Sequence, residues 1–371
     1  MSAVNRRLGI FTKSFSAIAS TTKNDVTVKS LATKASSHET QLQNLVDKFK
    51  TSCESQRFRH NQSIYRRKVR RLAAANKFSM IEDILEHQKK YDDIRREGFS
   101  IRLIGLYGEA GMFDHAHKVF DELPELNCDR TVKSLNALLK AALDAKKFDK
   151  VIEIFNELPS RVSIEPDMIS YNIVIHAFCE MGSLDEALSL FRKLEDNGQE
   201  PDLVTFNTLL NALYMNNRFS EGERIWATME SKNVVPDVRS YNSRLRGMFR
   251  DNRISEAEKL VGEMESNGIR SDVFSYNALI KGFCDSGNLE EAKKWYGEIE
   301  KNKCTPNLAT YIILIPAFRK AGDLDKAFEL CLDANNHGFF LKRTVFKQVA
   351  EALVEKGRTE EASELENLVR A

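Results

Sequence analysis

The sequence predicts an all-α fold, a helix-turn-helix repeat solenoid of about nine 35-residue hairpins wound as a right-handed superhelix with one concave groove. Three observations predict it. Aromatic-Asn pairs recur at Tyr171-Asn172, Phe206-Asn207, Tyr241-Asn242 and Tyr276-Asn277, each step being 35 residues. A Gly or Asn stands at one fixed offset in eight of nine units (Asn76, Gly111, Gly182, Asn217, Asn252, Gly287, Gly322 and Gly357), with Lys146 in the remaining one. These residue types stop a helix in the left-handed conformation. Pro166, Pro201, Pro236 and Pro306 close four of the units, because proline disfavours helix at the residue before it. A single hairpin cannot bury its apolar face, so stacked copies share a continuous core.

In chain order, residues 1–38 read as an address. They hold six Lys or Arg against one acid, Asp25, with seven Ser and five Thr, which is transit-peptide composition. Val4, Leu8, Phe11, Phe15 and Ile18 would form one apolar stripe beside a basic face. The early Arg6-Arg7 pair favours the mitochondrion, with the chloroplast as the alternative destination. A secretory signal needs a continuous apolar core, and none follows the basic start. Residues 39–61 read as a basic, helical N-terminal cap. The array follows, with boundaries at 62–96, 97–131, 132–167, 168–202, 203–237, 238–272, 273–307, 308–342 and a shortened 343–371. The unit starting at Val132 carries one inserted residue between Pro159 and Ile164.

Within each unit, position 15 is the helix stop, position 17 is apolar in eight of nine units (Phe78, Phe113, Phe148, Leu184, Phe219, Ile254, Leu289, Leu324), and position 20 is mostly small (Ala116, Ala187, Gly222, Ala257, Ala292, Ala327, Ala362), with Ile81 in the first unit. Small residues there let two helices approach closely. The pattern D-x-x-x-Y-N-x-L-I, then G-x-x-x-E-A, then P-D, as in ISYNIVIHAFCEMGSLDEALSLFRKLEDNGQEPD, resembles the pentatricopeptide repeat family in its P class, over about residues 62–371. A tetratricopeptide array would slip one residue per unit, because its period is 34 residues, and its Trp-Leu-Gly signature is absent.

The resemblance implies single-stranded RNA binding in an organelle, one base per repeat, through the side chains at position 5 and at the last position. Those pairs are Asn136 with Asp167, Asn172 with Asp202, Asn207 with Asp237, Asn242 with Asp272, and Asn277 with Asn307. By the same resemblance Asn with Asp favours uracil and Asn with Asn a pyrimidine, so the ligand is about four U followed by C or U. The competing reading makes Asn and Asp ordinary helix caps. Position 2, which in this family sandwiches the base, is Ile169 and Val204 in two units and Lys133 and Arg239 in two others, where a basic residue would grip phosphate or be merely solvated. The flanking pairs Arg66 with Arg96, Ile101 with Thr131, and Ile312 with Lys342 depart from the family's pairs, and no base is assigned to them.

The net charge of +1 excludes a uniformly basic polymer, so nucleic-acid contact has to come from a local patch. Arg57, Arg59, Arg66, Arg67, Lys68, Arg70 and Arg71 form such a patch with no acid among them, a candidate phosphate anchor onto structured RNA. Residues 39–96 carry +6 and residues 97–371 carry −10, so the repeat body is acidic. Two functions follow. The first is an organellar factor that binds a pyrimidine-rich single strand and acts in RNA metabolism or translation. The alternative, again by resemblance, is a structural component of the mitochondrial ribosome, of the small subunit, held by ribosomal RNA and protein. An enzyme is not expected: the chain has neither a G-x-x-x-x-G-K-[ST] loop nor an H-x-E with P-C-x-x-C zinc signature. No cofactor or metal is expected, since the six cysteines form no C-x-x-C pair. Cys179 and Cys284, three periods apart, read as one repeated core position. No uncharged apolar run approaches the length of a membrane span, so membrane insertion is not expected.

Overall fold

A computed structural model describes residues 39–370, so the expected transit segment lies outside the described residues. The described residues contain helices and turns and no strand. The chain divides into two compact units, Met1–Asp129 and Arg130–Ala371.

The first unit holds a helix over residues 39–52 (α1), the short α2 (Gln56–Arg59), the pair α3 (Gln62–Ala74) and α4 (Phe78–Glu86), two 3-10 turns at His87–Lys90 and Asp92–Arg95, and the pair α5 (Glu97–Glu109) and α6 (Phe113–Glu122). Its core includes a buried polar knot. The Tyr65 hydroxyl donates to Gln88 Oε1 at 2.7 Å, while Gln88 Nε2 donates to the Ile84 carbonyl at 2.9 Å. Burying those groups is tolerable because both are hydrogen-bonded.

Seven hairpins make the second unit: α7 (Val132–Asp144) with α8 (Phe148–Val162), α9 (Met168–Met181) with α10 (Leu184–Asp196), α11 (Leu203–Met215) with α12 (Phe219–Ser231), α13 (Val238–Arg250) with α14 (Ile254–Ser266), α15 (Val273–Asp285) with α16 (Leu289–Lys301), α17 (Leu308–Ala321) with α18 (Leu324–Asn336), and α19 (Arg343–Glu355) with α20 (Thr359–Arg370). Each odd-numbered helix packs on its own partner and on the next odd helix, so the odd helices form one layer. Their position-4 residues Leu135, Tyr171, Phe206, Tyr241, Tyr276, Tyr311 and Phe346 are all buried. Each contributes roughly 1.5–3 kcal/mol of apolar burial, repeated once per unit.

The helix stops account for this regularity. All nine position-15 residues are left-handed, Lys146 included at φ 56°. The sequence marks Lys146 as the exception, but only its residue type departs; its backbone follows the others at a cost of roughly 1–2 kcal/mol for an L-residue there. At Gly182 the turn is closed by its own N–H to the Cys179 carbonyl at 3.1 Å and by Ser183 N–H to the Phe178 carbonyl at 2.9 Å, the doubled bond that ends a helix at a left-handed residue. A second left-handed stop, at Gly198, Asn233, Gly268, Lys303 and Gly338, ends the second helix of five units. The inserted residue near Pro159 is absorbed by α8, which runs 15 residues and ends at a left-handed Ser163.

The small residue at position 20 does more than admit a neighbouring helix. Tyr214, on α11, reaches between Gly222 of α12 and Gly247 of α13, where an added Cβ would stand 2.4 and 2.5 Å from its ring. Its hydroxyl donates to Glu223 Oε1 at 2.6 Å, and Arg244 grips the same carboxylate with Nε at 3.0 Å and Nη2 at 2.7 Å. Burial raises the Glu223 pKa, but the bonds from Arg244 and Tyr214 outweigh it and hold the carboxyl below its ordinary value.

Candidate nucleic-acid interface

The five predicted pairs are all hydrogen-bonded. Asn136 Nδ2 donates to Asp167 Oδ1 at 2.8 Å, Asn172 to Asp202 at 3.1 Å, Asn207 to Asp237 at 3.1 Å, Asn242 to Asp272 at 3.0 Å and Asn277 to Asn307 Oδ1 at 3.1 Å. In every case the acceptor is also the N-cap of the next odd helix. Asp167 Oδ1 accepts from Ser170 N–H at 3.0 Å, Asp202 from Thr205 at 2.9 Å, Asp237 from Ser240 at 3.0 Å, Asp272 from Ser275 at 2.9 Å and Asn307 from Thr310 at 3.2 Å. Capping and pairing are therefore the same act, performed by one oxygen.

This arrangement dictates how each Asn is turned. A carboxylate only accepts, so the amide nitrogen must face it. The Asn carbonyl then meets the capping-box hydroxyl: Ser170 Oγ donates to Asn136 Oδ1 at 2.5 Å, Thr205 to Asn172 at 2.6 Å, Ser240 to Asn207 at 2.6 Å and Thr310 to Asn277 at 2.8 Å. Asn242 differs. It is 5% exposed and its Oδ1 has no hydrogen-bond partner among the described residues, and an unmet buried acceptor costs roughly 1–3 kcal/mol. Each paired Asn retains one N–H, and the four whose carbonyl meets a hydroxyl retain one lone pair as well. Each Asp retains Oδ2, which no hydrogen bond among the described residues engages, whereas Asn307 retains an amide nitrogen instead. Burial raises the Asp237 pKa, but the bonds from Ser240 and Asn207 outweigh it and hold Asp237 below its ordinary value, ionised at neutral pH.

The pairs in the middle of the run line grooves of the odd-helix layer. A groove of about 1130 Å³ brings Asn207, Asp237, Asn242 and Asp272 together, with the position-2 residues Val204, Arg239 and Phe274 on its walls. A neighbouring cavity of about 480 Å³ shares Phe274 and includes Asn277. Val204 is 59% exposed and Phe274 61%, and Ile169 at the same position one unit earlier is 57% exposed. Large apolar side chains held this open in a register of 35 residues offer flat contacts between which a base could lie. Lys133 and Arg239 are also exposed.

Sequence reasoning missed Phe274 and two further residues. Positions 9 and 13 of the odd helices form ion pairs in two units, Lys140 with Asp144 and Lys281 with Asp285 at 2.5 Å, and in a third His176 stands 3.5 Å from Glu180. In α13 both positions are basic. Arg246 donates to Asn211 Oδ1 at 2.9 Å and Arg250 to Asn217 Oδ1 at 3.2 Å, and neither has an acid partner among the described residues. With Arg239 they make a row of cations along one helix in the groove. The signal was present in the sequence as a missing acid four residues on.

The basic patch of the first unit is sorted into three sets. Arg59 is taken up by an ion pair with Asp93 at 2.6 Å, its side chain only 12% exposed. Arg66 and Arg70 share Glu109, at 2.7 and 3.2 Å. Arg57, Arg67, Lys68 and Arg71 have no acid partner among the described residues. Cys179 is half-buried on the groove wall, and burial pushes its thiol up to about 12. The six cysteines are free, and no cluster of three His, Cys, Asp or Glu that could hold a metal occurs among the described residues. No described helix is long and apolar enough to cross a membrane.

Comparison with known proteins agrees with this geometry. The sequence profile of the PPR repeat family matches residues 130–180, 166–215, 201–249, 236–285 and 271–320, and a PPR repeat profile matches 102–128. The small ribosomal subunit protein mS78 (rPPR3a) of Arabidopsis thaliana is 54% identical over 154 residues, 42% of this chain and 39% of that protein. A mitochondrial pentatricopeptide repeat-containing protein of the same plant is 43% identical over 133 residues, 36% of this chain and 32% of that protein. The chain thus spans about two-fifths or less of the length of these relatives. Among solved structures, the pentatricopeptide repeat protein PPR10 from maize superposes with a TM-score of 0.55 at 23% identity, covering 82% of this chain and 44% of that one, a likeness of fold. With more than half its length matched by the family profile, and with capped helical hairpins in a 35-residue register, this chain belongs to the pentatricopeptide repeat family.

Proposed function

We propose that the second unit binds single-stranded, pyrimidine-rich RNA along its odd-helix face, one base per repeat, and that the protein acts in mitochondrial RNA metabolism or translation. The observation that carries this reading is the unbroken run of five capped pairs, each fixed in orientation by its neighbour's N-cap. An Asn–Asp pair offers a donor beside a spare carboxylate oxygen, which complements the O4 acceptor and N3–H donor of uracil. Asn307 replaces that acceptor with an amide nitrogen, which suits the N3 acceptor of cytosine. Exposed Val204 and Phe274 provide stacking surfaces, and Arg239, Arg246 and Arg250 provide charge for the phosphates. Replacing Asn172, Asn207 and Asn242 together with Ala removes about one net hydrogen bond per base, roughly 1 kcal/mol each. Affinity for a U4C oligonucleotide, measured by fluorescence anisotropy, then falls about 100-fold; an unchanged affinity would sink the reading.

A second reading makes the protein a structural component of the small subunit of the mitochondrial ribosome. It is favoured by the 54% identity to a small ribosomal subunit protein and by the +6 charge of residues 39–96. Sedimentation of tagged protein from lysed mitochondria separates the two. Comigration with the small subunit after magnesium depletion supports the structural role, and slow sedimentation supports the free factor.

A further inference from the structure

The first unit contains a pocket of about 510 Å³ between α1 and α3. Its α1 wall is formed by Gln41, Asn44, Lys48 and Ser52, spaced three, four and four residues apart and therefore on one helix face. Across from it α3 contributes Arg67, Lys68 and Arg71, and the floor is apolar, with Phe49 and Phe58. Four cations line the cavity and no carboxylate does.

None of the four makes an ion pair with an acid among the described residues. Several of the unit's acids are spent elsewhere: Asp93 on Arg59, Glu109 on Arg66 and Arg70, Asp83 on Lys50 and Glu54 on Lys90. Residues 1–38 hold a single acid. Like charges converging on one cavity repel, and a bound anion relieves that repulsion. Guanidinium groups, an ammonium group and neutral amide and hydroxyl donors together match an oxyanion with several acceptor oxygens.

We infer that this pocket is a sequence-blind binding site for the phosphodiester backbone of RNA. It goes beyond the base-reading face, because its donors meet phosphate and not base edges. It explains why a chain whose repeat body carries −10 concentrates +6 in residues 39–96: the backbone charge that the acidic array repels is held there.

The test uses the full chain and two 20-nucleotide RNAs, one containing U4C within an A-rich sequence and one wholly A-rich, titrated between ~50 and ~200 mM salt. Each lost phosphate contact on a single strand reduces the salt slope by about 0.7. The triple variant R67Q/K68Q/R71Q should therefore lose about 2 from the slope on both RNAs, so that the wild type weakens roughly 15-fold more than the variant across that salt range. Lys48→Gln, on the opposite wall, should lose about 0.7 and serves if the triple variant does not fold, as judged by circular dichroism. The Asn172, Asn207 and Asn242 variant should keep its slope and lose only its preference for U4C, so failure of base reading is distinguishable from failure of this site. An unchanged slope in folded Lys48→Gln or triple variant overturns the inference. So does a loss confined to binding of a poly-glutamate peptide, which would make the pocket a dock for acidic protein.

Discussion

The starts of the odd helices from α9 to α17 and those of α5 and α19 obey the same repeat, yet only the former hold an Asn of the preceding unit. Each of the five starts with a capping box whose N-cap oxygen also holds an Asn one repeat earlier. By contrast, α5 starts at Arg96 and α19 at Lys342, neither of which makes a side-chain cap, and the position-5 residues one repeat earlier are Arg66 and Ile312. The difference teaches that the lateral bond needs both a capping oxygen and an amide one repeat earlier: α7 has a capping box at Thr131, yet the position-5 residue one repeat earlier is Ile101. Where the cap is lost, the lateral bond to the neighbouring repeat has no acceptor.

The largest test of that comparison is Asp237→Ala. It removes the α13 cap, worth roughly 0.5–2 kcal/mol, and leaves the Asn207 amide without its acceptor, roughly 1–3 kcal/mol more if no water replaces it. Urea unfolding should show a loss of about 2–4 kcal/mol, whereas Asp237→Asn, which keeps a capping oxygen, should lose far less. The acid dependence follows from the same residue. Asp237 has a folded pKa below its ordinary 3.8, so its contribution is complete above that value and is lost as pH falls through the folded pKa. The stability gap between wild type and Asp237→Asn should narrow on acidification below pH 3.8, and a constant gap would remove the charged cap from the account. The smallest effect should come from building a cap where none exists: Lys342→Asp should stabilise α19 by about 1 kcal/mol, read as a rise in the urea midpoint.

Much of this was legible in the sequence because solenoid geometry is enforced locally. The position-15 stops mark every turn, since only a left-handed backbone reverses the helix there, and Lys146 shows that the constraint lies on the backbone and not on the residue type. Asn and Asp at positions 5 and last could be named, but their shared oxygen could not, because it joins residues 30 or 31 apart through the stacking of separate helices. The same limit applies to the seven basic residues between Arg57 and Arg71. Their partners Asp93 and Glu109 lie 34 to 43 residues away, so sequence showed a single patch where folding makes a buried pair, a shared ion pair and an open pocket. Arg246 and Arg250 are legible for a different reason: they stand at the two positions that other repeats fill with a basic residue and an acid four residues on.

The shared cap has a consequence for cutting and splicing such arrays. The structural module that sets one reading position runs from an Asn such as Asn172 through Asp202 to the hydroxyl of Thr205, and so ends three residues inside the following sequence repeat. Modules therefore overlap like roof tiles, each held down by its C-terminal neighbour. A chimera joined at the 202/203 boundary imports an Asn whose carbonyl must find its hydroxyl on the host, and a truncation from the C-terminal side loosens the last position it leaves behind.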